Sequence, residues 1–233
     1  VFLVVVCGGA FLIEKCPDGF VPEGYQPAGG KAGGPAKVSN DKDWKGMLAD
    51  PVFYVMIVML TCGAVFGLMM ISQVSPMAQN KIGMSVASAT IAISVLALFN
   101  AAGRVIAGYV SDIIGRINTL TIMLVMAVVG LVLLYGAGEG DVAKFYIGVS
   151  VVGLCFGAFM GVFPGFTADQ FGQKNNSVNY GIMFIGFALA GYVGPTIVGK
   201  VYANSGSYDP AFKIAMILAG VGILLTIIYR VMS

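Results

Sequence analysis

The 233-residue chain is 58% hydrophobic and only 10% charged, with a mean hydropathy of +0.90 and a formal net charge of +2. A soluble domain carries about 25% charged residues, so this composition belongs to a chain that lives in lipid. It excludes a basic nucleic-acid-binding face, and with no histidine there is no imidazole metal site or histidine proton relay.

The chain opens on VFLVVVCGGAFLI, which is short for a span of about 20 residues and lacks the basic start of a signal peptide. It reads as the end of a helix over residues 1–13, and the whole as the C-terminal part of a longer protein. From Glu14 to Asp50 come five lysines, six acids and many prolines and glycines, the composition of a flexible linker. Cys7, Cys16, Cys62 and Cys155 have neither metal-ligand nor disulfide spacing and read as small apolar residues.

Residues 51–233 then read as an all-α domain of six apolar segments, near 52–72, 84–109, 117–137, 145–166, 177–200 and 211–230. Asp50-Pro51 and Asp209-Pro210 each place a capping acid before a proline at a first helical position. Eight lysines and arginines fall on the linker side of these segments and four on the other, which puts linker and C-terminus in the cytoplasm.

In the fourth segment Gly153, Gly157, Gly161 and Gly165 recur every fourth residue. They clear one helix face for close packing against a neighbour. Gly161, Pro164 and Gly165, and later Gly191, Gly194 and Pro195, are expected to weaken two helices near their ends, as in transporters with broken helices. Residues 66–70 and 156–160 share F-G-x-x-M in the first and fourth segments, consistent with a three-plus-three repeat.

Arg104 ends an uncharged run from Ile82 to Gly103 and is followed by seven more uncharged residues before Asp112. A charge at such depth costs at least about 2.5–3.5 kcal/mol on insertion scales and faces a cavity or a partner charge. Its distance from Asp112 is about 12 Å along a helix, which makes snorkelling to the interface difficult. No acid lies inside the later segments, so the partner is a ligand or an acid elsewhere in the longer protein. A planar guanidinium grips a carboxylate through two hydrogen bonds. Asn100, one turn earlier on the same face, is placed to donate to that ligand or to brace Arg104. No Ser-His, Asp-Asp or metal-ligand constellation suggests an enzyme, and no cofactor or metal is expected.

The second segment exits through G-x-x-S-D-x-x-G-R, Gly108 to Arg116. Gly108 and Gly115 would allow a tight turn, Asp112 would meet a neighbouring helix N-terminus, and Arg116 would pair with an acid at the cytoplasmic end. This resembles the signature loop of the major facilitator superfamily. LFNAAGRVIAGYVSDIIGR, VFPGFTADQFG (162–172), NSVNYG (176–181), PEGYQPAGG and DWKGMLADPVFY (43–54) together look like its oxalate/formate antiporter family, over essentially the whole chain.

The resemblance implies an inverted-repeat C-terminal bundle over 51–233, an inter-domain linker over 14–50 and the end of helix six over 1–13. It also implies a monomer in the cell membrane, completed by an N-terminal six-helix half, with Arg104 holding a substrate carboxylate. The family's oxalate exchanger has a lysine where this chain has Phe187, and an aromatic cage where it has Phe156, Met160 and Phe184. The departure at Phe187 leaves one cation, which suits a monocarboxylate such as lactate, pyruvate or formate, carried by exchange or with a proton through alternating access. Alternatives are an oxalate-type dicarboxylate antiporter and a non-transporting carboxylate sensor.

Overall fold

A computed structural model describes residues 41–232 and, before them, Gly8 alone. The expected helix end over 1–13, apart from Gly8, and the linker up to residue 40 lie outside the described residues. Those described form helices α1 (Trp44–Leu48), α2 (Pro51–Asn80), α3 (Val86–Ile114), α4 (Arg116–Tyr135), α5 (Val142–Phe171), α6 (Asn176–Met183), α7 (Ile185–Ser205) and α8 (Asp209–Met232), with no strand among them. Six stretches are long and apolar enough to cross a membrane, α6 and α7 together making the fifth.

Side-chain caps mark three of the helix starts. The Asp43 carboxylate accepts from the Gly46 N–H at 2.8 Å, and Asp50 accepts from Val52 at 2.9 Å ahead of Pro51. Ser85 caps α3 through the Ser88 N–H at 3.3 Å. The second expected acid cap is different. α8 begins at Asp209 itself, whose N–H donates to the Ser207 hydroxyl at 3.1 Å. That leaves the Asp209 carboxylate free to take Lys81 at 2.5 Å, tying the end of α2 to the start of α8.

The segments match the expected ones in order and number. The largest difference is α2, expected to stop near 72, which continues through Pro76 to Asn80 because Val74, Met77 and Ala78 are buried in the core. Pro164 and Pro195 likewise sit inside unbroken helices. The interruption comes instead at Phe184, between α6 and α7, where ψ is −9°.

Two helices form the centre. The apolar windows of α2 and α5 are 67% and 61% buried, against 22% for α3, 28% for the fifth span and 33% for α8. The two F-G-x-x-M segments lie on these central helices and face each other. Gly67 packs under the Phe156 ring and Gly63 under Phe159, while Phe66 meets Phe159 edge-on at 6.2 Å.

The glycine ladder of α5 packs against α3. A Cβ at Gly153 would lie 3.0 Å from the Leu96 carbonyl oxygen, one at Gly157 would strike the Asn100 main chain, and one at Gly161 would lie 2.5 Å from the Arg104 carbonyl. Gly103 reciprocates against the Leu154 main chain. Both helices advance by four residues per contact, so α3 and α5 run parallel with their backbones touching.

Candidate functional site

Arg104 lies ten residues before the end of α3, about 15 Å from Ile114 along the axis. Its side chain is exposed and has no hydrogen bond or ion pair among the described residues. Lys200 and Lys213 lie within about a turn and a half of a helix end, so Arg104 is the deepest cation described. Asn100, one turn away, has a buried Oδ1 without a hydrogen-bond partner.

The three phenylalanines picked from the sequence come together. Phe156 and Phe187 stack at 6.3 Å and 20°, Phe187 and Phe184 at 4.6 Å and 17°, and Tyr180 tilts against Phe184 at 5.5 Å. Phe156 is buried, Phe187 half-buried and Phe184 37% exposed, so the row runs outward from the core. Met160 is half-buried one turn beyond Phe156.

Tyr180 was missed by the sequence reading, although NSVNYG contains it. Positions 180, 184 and 187 fall on one helix face, and that spacing is the signal that would have found it. Tyr180 thus forms the outer end of the row of rings.

At the linker-side end, Arg116 fastens three groups. It meets Asp112 at 2.6 Å, donates from Nε to Asp169 at 3.1 Å and from Nη1 to the Ser111 hydroxyl at 2.5 Å. Its guanidinium also sits 3.2 Å from where a Gly165 side chain would begin. Asp112 thus turns to Arg116 on its own chain segment rather than to a helix N-terminus. Gly108 takes no part in the turn, because α3 continues to Ile114 and leaves Gly108 inside the helix with open space beside it. The reversal rests on Gly115 alone, at φ 90° and ψ 152°. Asp169 belongs to a second D-x-x-G, residues 169–172, whose Gly172 ends α5 at φ 90° and ψ 159°. The shared spacing in 112–115 and 169–172 was the overlooked sign of Arg116's partner.

The chain segment before α1 docks at this end. Lys42 donates its N–H to the Phe171 carbonyl at 2.9 Å, and its own carbonyl accepts from Asn179 at 3.0 Å and Asn175 at 3.3 Å. Lys42 Nζ meets Asp50 at 2.6 Å. Burial alone would raise the Asp50 carboxyl, but the Lys42 ammonium and the Val52 N–H outweigh it and hold it below its ordinary value.

An apolar recess of about 350 Å³ lies among Phe99, Met126, Tyr146, Ile147, Ser150, Val151 and Leu154. None of these residues is charged, so it offers nothing to neutralise an anion.

The chain matches the sequence profile described as Major Facilitator Superfamily over residues 1–174 and again over 60–232. It belongs to that superfamily. Over 183 residues it is 30% identical to the "Oxalate:formate antiporter" of Oxalobacter formigenes, covering 77% of this chain and 43% of that protein. Over 139 residues it is 32% identical to the "Uncharacterized MFS-type transporter YhjX" of Escherichia coli (strain K12), covering 60% of this chain and 34% of that protein. The chain thus spans less than half the length of these relatives. Superfamily members are transporters rather than enzymes, and the six-helix bundle makes this chain a multi-pass membrane protein.

Proposed function

We propose that this superfamily chain forms the C-terminal half of a secondary transporter that moves small carboxylate anions by alternating access. The observation that carries this is Arg104: a cation about 15 Å inside a span, exposed, and without a protein partner among the described residues. Keeping it there costs free energy that an anionic cargo repays. The aromatic row supplies an apolar wall for the rest of the substrate.

One guanidinium balances one carboxylate. A second negative charge in a low-dielectric cavity would cost several kcal/mol, so the cargo we favour is a monocarboxylate such as lactate, pyruvate or formate. Among the described residues the acids of the spans lie only at their ends, as Asp112, Asp169 and Asp209 do. Proton symport therefore requires a titratable group from an N-terminal six-helix half, and exchange does not. The working protein is a monomer of the cell membrane in this reading. Its Arg116 end faces the cytoplasm, together with Lys42, Lys174 and Arg230.

The test is counterflow in proteoliposomes of the transporter with both halves, preloaded with lactate, pyruvate, formate or oxalate, with and without a proton gradient. Rapid monocarboxylate exchange that Arg104→Lys abolishes is the expected result. Unchanged carboxylate affinity in that variant would remove Arg104 from the site. Preference for oxalate would mean a second cation comes from the other half.

A further inference from the structure

The apolar recess of about 350 Å³ opens where α3 and α4 part over α5. α5 packs closely against both, while α3 and α4 touch each other little. The recess faces away from the candidate site. At about 100° per residue, Phe99 lies about 140° around α3 from Arg104, and Ile147 lies about 180° around α5 from Phe156. Arg104 and the Phe156 ring therefore project to one side of these helices, and the recess opens on the other.

Depth in the bilayer adds to this. α5 has 30 residues, about 45 Å, against a hydrocarbon core of about 30 Å. Centred on that core, it projects about 7 Å at each end. Lys144, about 3 Å from the start of α5, then stands among the headgroups, and Tyr146, at about 6 Å, marks their boundary. Ser150 and Leu154 follow at about 12 and 18 Å, so the recess descends from that boundary nearly to the midplane.

The chemistry changes along this path. Lys144 Nζ donates to the Gly136 carbonyl at 2.5 Å and lies 3.9 Å from Asp141, and its side chain is still 42% exposed. An ammonium has three donors, so Lys144 has capacity left for an anion. Tyr146 donates to the Ser88 carbonyl at 3.0 Å, tying α5 to the start of α3 beside the recess. The half-buried Ser150 hydroxyl has no hydrogen bond among the described residues. Deeper, Phe99, Met126 and Leu154 offer only apolar surface, and a void left there would forfeit its dispersion contacts. A cation, then an unused hydroxyl, then an apolar slot match the phosphate, ester carbonyl and acyl chain of a phospholipid.

We propose that the recess binds an anionic phospholipid of the leaflet opposite the Arg116 end. Its phosphate meets Lys144, an ester carbonyl accepts from Ser150, and one acyl chain lies between α3 and α4. This site is independent of the cargo held at Arg104. The seated chain fills the gap beside α3, the helix that carries Arg104.

The experiment purifies the full transporter in mild detergent, adds phosphatidylglycerol or phosphatidylcholine, and counts retained lipids by native mass spectrometry. Val151→Trp fills the recess, whereas Ile217→Trp alters an exposed α8 residue outside it. Wild type and Ile217→Trp are expected to retain one phosphatidylglycerol more than Val151→Trp does. Lys144→Gln should lower the preference for phosphatidylglycerol over phosphatidylcholine about fivefold, as for one lysine at an anionic membrane surface. Equal retention in wild type and folded Val151→Trp overturns the site. Should Val151→Trp fail to fold, Lys144→Gln still decides, because an unchanged headgroup preference in that variant overturns the proposal.

Discussion

Gly161 lies against the main chain of Arg104: a Cβ there would come within 2.5 Å of the Arg104 carbonyl oxygen. The residue that clears the helix contact and the residue that carries the charge deep in the span thus belong to one junction. Gly161→Ala should push α5 away from α3 and cost about 1–3 kcal/mol of stability, as overpacking does. It should weaken carboxylate affinity too, because the Arg104 backbone moves. Thermal unfolding and counterflow check this, and wild-type values in both would show that the two helices part freely.

The Arg116 clamp predicts coupling rather than a large stability loss. Partly exposed pairs contribute about 0.2–1 kcal/mol each, so Arg116→Ala should lower stability by about 1 kcal/mol. Because Arg116 meets Asp169 directly, Arg116→Ala and Asp169→Asn should be non-additive in transport rate. Strict additivity would mean that the contact has no energetic content.

Phe187 stacks on both Phe156 and Phe184. Phe187→Lys inserts a second cation into that row and should shift the ratio of oxalate to lactate uptake by at least about tenfold, since an uncompensated buried charge costs several kcal/mol. An unchanged ratio would place position 187 away from the cargo.

The Lys42–Asp50 pair gives a pH dependence with a definite sign. The Asp50 carboxyl is held below its ordinary value, so the folded protein binds its proton less readily than the unfolded chain. The resulting stability is present above the unfolded value, near 3.9, and disappears as pH falls through the folded one. Asp50→Asn keeps an N-cap side chain but removes the charge. It should lower the melting temperature at pH 7 and approach wild type only as pH falls below about 3.9 and through the lower folded value. Parallel curves across that range would show that the pair contributes nothing.

Much of the bundle was legible because lipid imposes a simple rule. Each span must satisfy its own backbone hydrogen bonds, so apolar length marks each helix, and Asp50-Pro51 marked the start of α2. The depth of Arg104, the four-residue glycine period and the G-x-x-S-D-x-x-G-R spacing are likewise properties of the chain itself. Placement at a common wall was legible in part, since Phe156, Phe184 and Phe187 do come together.

What the sequence could not assign was partners across the fold. Pro164 and Pro195 were expected to weaken two helices, but both sit inside continuous helices and the interruption falls at Phe184. Asp112 and Asp169 lie 57 positions apart, and only the packing of α3, α4 and α5 delivers both to Arg116. Gly157 and Gly161 announced a close approach without naming the helix that would fill it. Tyr180 joined the aromatic row only because α6 turns its ring onto Phe184. Local periodicity fixes which residues share a face, but the neighbour that a face meets depends on how all six spans pack, and that was decided by the tertiary structure.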